Sequence, residues 1–355
     1  MARRCRNGLR ALLVGTLLVA LSGSVAAALS PASLSAAGSN ARFEPRDGHV
    51  YLGVSTHLIT TGLNAWDRAA GITSHPALYG RWTTPDGPFQ PILDEVKTRP
   101  GITPVIHWNL PMDGRQITNG SRDAYIRVQV AAVRAYAKPV FVRLDWEMNA
   151  YWYPHWNLSP VTPAQYIASW RRAVSLFARV PNVAFVWCPN VLDYFNKAGK
   201  RFRTSLWYPG DSYVDWVGLD AYPQSTTKGA LLNGTDGMND MAKFAAAHHK
   251  PLMLAEWAPN LPHADTTDAV NLIFTWAEKY PHTVKALVYF DFVVGGRDFR
   301  LTSHPNGARA FRHRSANRSH YLLNVTAAAI PAPSSRGAAA SSLSRDAPMA
   351  VGVAF

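Results

Sequence analysis

Eight short apolar runs, separated by helical stretches, limit the fold of this chain more than any other feature of its sequence. They cover residues 51–55, 77–81, 103–108, 139–146, 183–189, 214–222, 251–257 and 284–292. The runs are nearly continuous in apolar residues, as expected of strands covered on both faces of a parallel sheet. Helical signatures lie in most of the gaps. Residues 123–137 carry apolar side chains at helical spacing, and Thr162-Pro163-Ala164-Gln165 reads as a capped start with proline at the first position, leading into 166–178. Residues 235–249 and 266–279 fill two later gaps. Eight such units within roughly 280 residues predict an α/β fold of the closed (β/α)8 type, a TIM barrel, rather than an open sheet. No close internal repeat points to a solenoid.

The flanks differ in composition. Arg3, Arg4, Arg6 and Arg10, the apolar stretch 11–21 and the small residues Ser24-Val25-Ala26 make 1–26 an expected signal peptide. The apolar stretch is too short for a comfortable membrane span, so no stable membrane insertion is expected. Residues 27–46 read as a flexible linker, 47–325 as the barrel domain and 326–355 as a disordered tail too poor in large apolar residues to fold alone. Cleavage after residue 26 would leave Cys188 without a partner for an intramolecular disulfide. Stability then rests on a large core, and Cys188, within Val-Trp-Cys-Pro-Asn, reads as a packing residue rather than a nucleophile.

The formal charge is +13, from 36 basic and 23 acidic residues, and becomes +9 once the four leader arginines are removed. Much of it is scattered, with a cluster at 297–318. No nucleic-acid motif accompanies it, so nucleic acid is not an expected partner and surface charge for solubility is the simpler reading. The chain is expected to be secreted by a bacterium and monomeric, with adhesion to anionic cell-wall polymers left open.

Glu147 ends the fourth apolar run and Glu256 the seventh. A carboxylate at the end of a buried strand is costly unless it is paired or used, and active sites of such barrels lie at the C-terminal strand ends. Two such groups flanked by aromatic residues suit cleavage of a glycosidic bond. Side-chain alternation puts Arg143, Asp145 and Glu147 on one face, Gly218, Asp220 and Tyr222 on another, and Leu252, Leu254 and Glu256 on a third. Arg143 would then lie below Glu147 and hold a carboxylate, or form a buried structural pair with Asp145. Tyr222 could orient a nucleophile, and Asp220 could accept from sugar hydroxyls or fix a neighbour. Asn149, Tyr151, Trp152, Tyr153 and Trp156 suggest a sugar platform after strand four. Trp108 is a further candidate, ahead of His107, Trp82 and Trp257. The histidines lack ligand spacing with acidic partners, and no phosphate, dinucleotide or nucleophile-elbow motif occurs, so neither metal nor cofactor is expected.

At these residues the sequence resembles glycoside hydrolase family 26, a retaining clan A family dominated by endo-β-1,4-mannanases. The resemblance runs from about residue 53 to 311. It is carried by Ile117-Thr118-Asn119-Gly120, by Arg143 through Asn149 with Trp152, and by Trp187-Cys188-Pro189-Asn190. Tyr208-Pro209-Gly210-Asp211, the stretch 214–222 and Lys250 through Glu256 carry it further. It implies Glu147 as acid/base, Glu256 as nucleophile, Tyr222 as the residue orienting that nucleophile, and Asp220 and Trp152 as sugar-site residues. Where mannanases of this family usually carry histidine before the acid/base and glycine three residues after it, this chain has Trp146 and Ala150. The expected activity is secreted, cofactor-free endo-hydrolysis of a β-linked polysaccharide, foremost β-1,4-mannan. A β-1,3-xylan, a mixed-linkage glucan, a producer exopolysaccharide, or an inactive glycan-binding barrel are the alternatives. A retaining pair predicts carboxyl groups roughly 5–5.5 Å apart, with the charge on Glu256 raising the pKa of Glu147.

Overall fold

In the computed structural model the described residues are 41–57, 59–84, 86–110, 114–150, 162–191, 203–223, 228–260 and 266–325. The expected signal peptide, residues 27–40 of the expected linker, the expected tail, and Tyr151, Trp152, Tyr153 and Trp156 lie outside them.

All eight apolar runs form strands: β1 (Val50–Thr56), β2 (Leu78–Trp82), β3 (Thr103–Trp108), β4 (Val140–Leu144), β5 (Val183–Trp187), β6 (Trp216–Ala221), β7 (Leu252–Trp257) and β8 (Val284–Asp291). They pair in sequence order, all parallel, and β1 pairs with β8 over six residue pairs from Tyr51↔Ala286 to Thr56↔Asp291. That last pairing closes the sheet into a (β/α)8 barrel. Between the strands lie α1 (Thr61–Ala70), α2 (Gln90–Lys97), α3 (Gly114–Thr118), α4 (Asp123–Tyr136), α5 (Pro163–Leu176), α6 (Lys228–Asn233), α7 (Met238–Ala247) and α8 (Thr267–Lys279). After β8 come a small hairpin of β9 (Val293–Val294) and β10 (Arg297–Asp298), then α9 (Pro305–Arg314) and β11 (Tyr321–Leu322), which pairs with the start of β1.

The start of α5 follows its sequence closely. The Thr162 hydroxyl accepts from the Gln165 backbone N–H at 3.3 Å, and the Gln165 side chain accepts from the Thr162 N–H at 2.8 Å. This reciprocal cap satisfies two donors that a helix start otherwise leaves bare. Helix α9 and the segment that follows it give part of the basic cluster a structural use. Arg312 donates to the Ala69 carbonyl at 2.7 Å and Arg318 to that of Gly71, placing cations at the C-terminal end of α1, where the helix dipole is negative.

The barrel interior is layered. Tyr51, Leu78, Val105, Phe141, Trp216 and Met253 form an apolar floor. Phe43 closes it from below: its ring packs 5.6 Å from that of Phe141, which lies 5.3 Å from Trp216. Arg42 donates to the carbonyls of Val180 and Val183, and the Trp216 indole donates to the Arg42 carbonyl at 2.7 Å. Arg42 and Phe43, which fall within the expected linker, are instead buried at the N-terminal end of the barrel. Among the described residues no helix is long and apolar enough to cross a membrane.

Candidate active site

The interior turns polar toward the C-terminal ends of the strands. Arg143 on β4 has no exposed surface, and it donates through Nη1 to Glu256 Oε1 and through Nη2 to Asp220 Oδ2. Its Nη1 also lies 3.0 Å from His107 Nδ1. Since the guanidinium can only donate, that ring nitrogen accepts, and the imidazole proton sits on Nε2, 3.4 Å from the Ser55 hydroxyl. Burial and the neighbouring guanidinium push the His107 pKa well below its ordinary value, so the ring is neutral. Room for this contact depends on Gly80: a Cβ there would lie 1.9 Å from Ser55 Oγ and 2.7 Å from His107 Nε2.

Glu256 faces inward because β7 is irregular. Leu219 pairs with Leu254 but Asp220 pairs with Glu256, so Ala255 is an extra residue between them. Such a bulge re-aims the side chains beyond it. Leu252 and Leu254 consequently pack outward against the helices, while Met253, Ala255 and Glu256 all turn to the interior. The expectation that Leu252, Leu254 and Glu256 share a face fails for this reason. Tyr222, just past β6, donates from its hydroxyl to Glu256 Oε2 at 2.6 Å. Burial, then the charges of Glu256 and Asp220, push the Tyr222 pKa well up, so the phenol keeps the proton it donates. Both oxygens of Glu256 are thus fixed, one by a cation and one by a phenol.

Glu147 reaches the same space by another device. Strand β4 ends at Leu144, and Asp145 and Glu147 adopt positive φ values of 40° and 53°. Non-glycine residues at such angles are uncommon and tend to occur where the backbone is constrained for function. The turn is held by hydrogen bonds from Asp145 N–H to Trp108 O at 2.9 Å and from Glu147 N–H to Cys188 O at 2.7 Å. It also separates Asp145 from Arg143. Asp145 accepts from the Leu110 N–H at 2.8 Å, and burial raises its pKa well above the usual carboxylate range despite that bond. Neither a shared face for Arg143, Asp145 and Glu147 nor an Arg143–Asp145 pair forms.

The Glu147 side chain accepts from Asn190 Nδ2. Asn190 is held by Asn149, whose side-chain oxygen accepts from the Asn190 N–H at 2.9 Å and whose amide donates to the Asn190 carbonyl at 2.9 Å. Asn149, expected to contact sugar, is 1% exposed and spends its amide on this clamp. Of the two uses expected of Asp220, accepting from sugar or fixing a neighbour, its contacts are those of the second. It has no exposed surface, binds Arg143 and accepts from the Cys188 thiol at 3.3 Å. Burial pushes Asp220 up in pKa against the pull of Arg143. Burial also opposes charge on Arg143, but Asp220, Glu256 and Glu147 together outweigh it, so the arginine stays a cation. Arg143 itself lies beneath the carboxylates and positions them rather than touching solvent.

One oxygen each from Glu147, Asp220 and Glu256 lie within 4.8 Å of one another. That spacing would suit a cation, but Arg143 already donates to two of the three.

Trp108 is corrected from sugar contact to core. It is fully buried, 5.0 Å from the Phe89 ring, with its indole N–H on the Tyr125 hydroxyl at 3.1 Å. Trp257 is likewise buried, against Tyr289 and Phe311. Trp82 is partly exposed and stacks on His107 at 4.2 Å and 20°. Trp146 lies with its ring 5.3 Å from the Arg143 guanidinium carbon, covering the cation with an aromatic face. Asn190 was missed as a partner of Glu147, although it stands at the end of the motif Trp187-Cys188-Pro189-Asn190.

A closed parallel barrel with two opposed glutamates at the ends of β4 and β7 has the architecture of a barrel glycosidase. Residues 104–295 match the family model for glycosyl hydrolase family 26, and the chain belongs to that family. It is similar to Endoglucanase H of Acetivibrio thermocellus, 31% identical over 247 residues that make up 65% of this chain and 26% of that protein. It is also similar to the β-1,3-xylanase TXYA of a Vibrio species, 28% identical over 146 residues, 41% of this chain and 29% of that protein. The chain therefore spans under a third of the length of these relatives. The solved structure of a β-mannanase from Bacteroides ovatus shares the fold, with a TM-score of 0.56 and 16% identity, covering 78% of this chain and 91% of that one.

Proposed function

We propose that the protein is a retaining endo-hydrolase of a β-linked polysaccharide, with Glu256 as nucleophile and Glu147 as acid/base. The observation that carries this reading is the meeting of two glutamates from the ends of β4 and β7, with one oxygen each of Glu147 and Glu256 within 4.8 Å, close enough to flank a single glycosidic bond. The retaining course follows the family resemblance, and retaining pairs have carboxyl groups roughly 5–5.5 Å apart.

Glu256 Oε1 is held by Arg143 and Oε2 by Tyr222, which fixes its approach to an anomeric carbon. Asn190 holds the Glu147 side chain. In the first step Glu256 forms a bond to the anomeric carbon as the glycosidic C–O bond breaks, and Glu147 gives its proton to the departing oxygen. In the second step Glu147 takes a proton from water, the water oxygen bonds to the anomeric carbon, and the bond to Glu256 breaks. Two inversions leave the configuration retained.

For the backbone we favour β-1,4-mannan, on the family resemblance and the structural likeness to a β-mannanase. Glucan and β-1,3-xylan compete, because relatives bear those names and Trp146 replaces the histidine usual in mannanases. The arginine-led apolar leader supports export, which N-terminal sequencing of protein from culture medium would test, with a start at Ala27 expected.

The deciding experiment is reducing-end release from β-mannan, glucomannan, β-1,3-xylan and mixed-linkage β-glucan, beside Glu147→Gln and Glu256→Gln. Release on at least one, lost in both variants and giving the retained anomer by NMR, is expected. An inverted first product would remove Glu256 as nucleophile. Binding without release would make the barrel a non-catalytic glycan binder.

A further inference from the structure

Strand β8 ends in a buried carboxylate that the mechanism above does not use. Asp291 is 4% exposed, and its Oδ1 accepts from the Leu301 N–H at 2.7 Å. Burial raises its pKa to about 6, against the Leu301 bond and the charge of Arg300 and with the aid of Asp298. An acid held in apolar surroundings at a strand end calls for a use.

The nine residues between Asp291 and Leu301 leave the barrel as the hairpin of β9 and β10 and return. The turn is Gly295-Gly296, with φ of 58° and 76°, the double positive φ that a two-residue hairpin turn of the right twist requires. The base of the hairpin is fastened twice more: Phe299 N–H donates to Phe292 O at 2.8 Å, and the Tyr289 hydroxyl donates to Phe299 O at 3.0 Å. The Phe299 ring lies 5.5 Å from that of Tyr222, and Phe290 stands edge-on to Tyr222 at 5.7 Å. Phe290 and Phe299 also meet each other at 5.6 Å. The phenol that fixes Glu256 Oε2 therefore has its ring seated between a strand residue and a hairpin residue, and the hairpin is tied to the strand by Asp291.

The geometry points to Asp291 as a positioning residue for catalysis: its carboxylate latches the 292–300 hairpin, whose Phe299, with Phe290, seats the Tyr222 ring and so holds the Tyr222–Glu256 hydrogen bond. This rests on the glycosidase reading above. An apolar residue at 291 would fill the volume yet leave the Leu301 N–H without its acceptor, which would free the return arm carrying Phe299.

The test is a double-mutant cycle on whichever glycan the wild type cleaves, together with crystal structures. Asp291→Ala is expected to lower kcat about tenfold with KM within twofold, and Asp291→Asn, which keeps an acceptor for Leu301, to restore most of it. In a Tyr222→Phe background Asp291→Ala should cost no further activity, since residues acting through one another are not additive. The Asp291→Ala crystal structure should show the Tyr222 hydroxyl beyond hydrogen-bonding distance of Glu256. Full additivity, an unchanged kcat, or an intact Tyr222–Glu256 bond would overturn the inference. Should Asp291→Ala fail to fold, Phe299→Leu cuts the same path at its other end and carries the same expectation. If the wild type cleaves nothing, the glycosidase reading falls, while the crystallographic arm still decides whether Asp291 holds Tyr222.

Discussion

A guanidinium with no exposed surface, donating to two carboxylates with a third close by, is held by its anions and holds them in turn. Removing one partner of such a cluster leaves buried charge uncompensated, which costs about 3–5 kcal/mol. Arg143→Met should therefore lower thermal stability by that order. The loss should grow as pH rises, because Asp220, whose pKa burial already raises, must then ionise without the cation that opposes that shift. With Glu256 no longer held, kcat/KM should fall at least about a hundredfold. Melting temperatures at two pH values, beside kcat/KM, check this; a stable and active Met variant would mean that Arg143 is dispensable to the site. The role of Arg143 was legible only as far as holding an acid: the sequence left open whether that acid was a carboxylate of the site or Asp145, and the structure pairs it with Glu256 and Asp220. Trp108 was legible too, but misread. His107 faces the barrel interior, so alternation along β3 turns its neighbour Trp108 outward into the core. Asn190 was not legible as a partner of Glu147, because their meeting depends on the left-handed turn at Glu147, which no residue type announces.

At the level of elements, the eight strands were visible because unbroken apolar runs between helical segments leave few other folds, but facing within a strand was visible only where pairing is regular. On β6 alternation holds, and Asp220 and Tyr222 both reach the site. On β7 the extra residue Ala255 reverses the parity, and on β4 the strand stops before Asp145. Neither a bulge nor a turn at non-glycine residues has a sequence signature of its own. The β9–β10 hairpin adds a measurable consequence of its buried latch. An acid whose pKa is raised on folding, here from 3.8 to about 6, binds its proton more tightly in the folded than in the unfolded chain. Folded stability therefore declines as pH rises from about 4 to about 6, by up to about 3 kcal/mol, and is level above that. Asp291→Asn removes this dependence. Relative to wild type, the variant should gain stability between pH 4 and pH 7, as read by urea denaturation at both values. A difference between the two proteins that is the same at both pH values would show that Asp291 is not desolvated as its burial implies.

Across the whole barrel, the interior runs from an apolar floor to a layer of ions at the mouth, and the two ends make opposite demands. The mouth concentrates charge at a cost in stability, which the floor and the helix-facing core must outweigh, and the one cysteine among the described residues, Cys188, is free and buried. This gives weight to Phe43, which lies in a stretch whose Ala, Ser and Pro content reads as linker and whose two informative residues, Arg42 and Phe43, are too few to register as an element. Phe43 is 2% exposed although its φ is 63°, a conformation that bulky side chains avoid. Its burial must therefore exceed the backbone strain it incurs. Phe43→Ala loses the ring but keeps the strain, and should cost about 3–5 kcal/mol. Phe43→Gly loses the same ring yet relieves the strain, so it should be the more stable of the two by about 1–2 kcal/mol, reversing the usual order of alanine and glycine. Both variants should keep the wild-type kcat, because the plug sits at the end of the barrel opposite the carboxylates. Chemical denaturation of the pair beside wild type measures the order directly. If the alanine variant were the more stable, the left-handed backbone at Phe43 would not be a source of strain; if neither lost stability, the barrel would not depend on its plug.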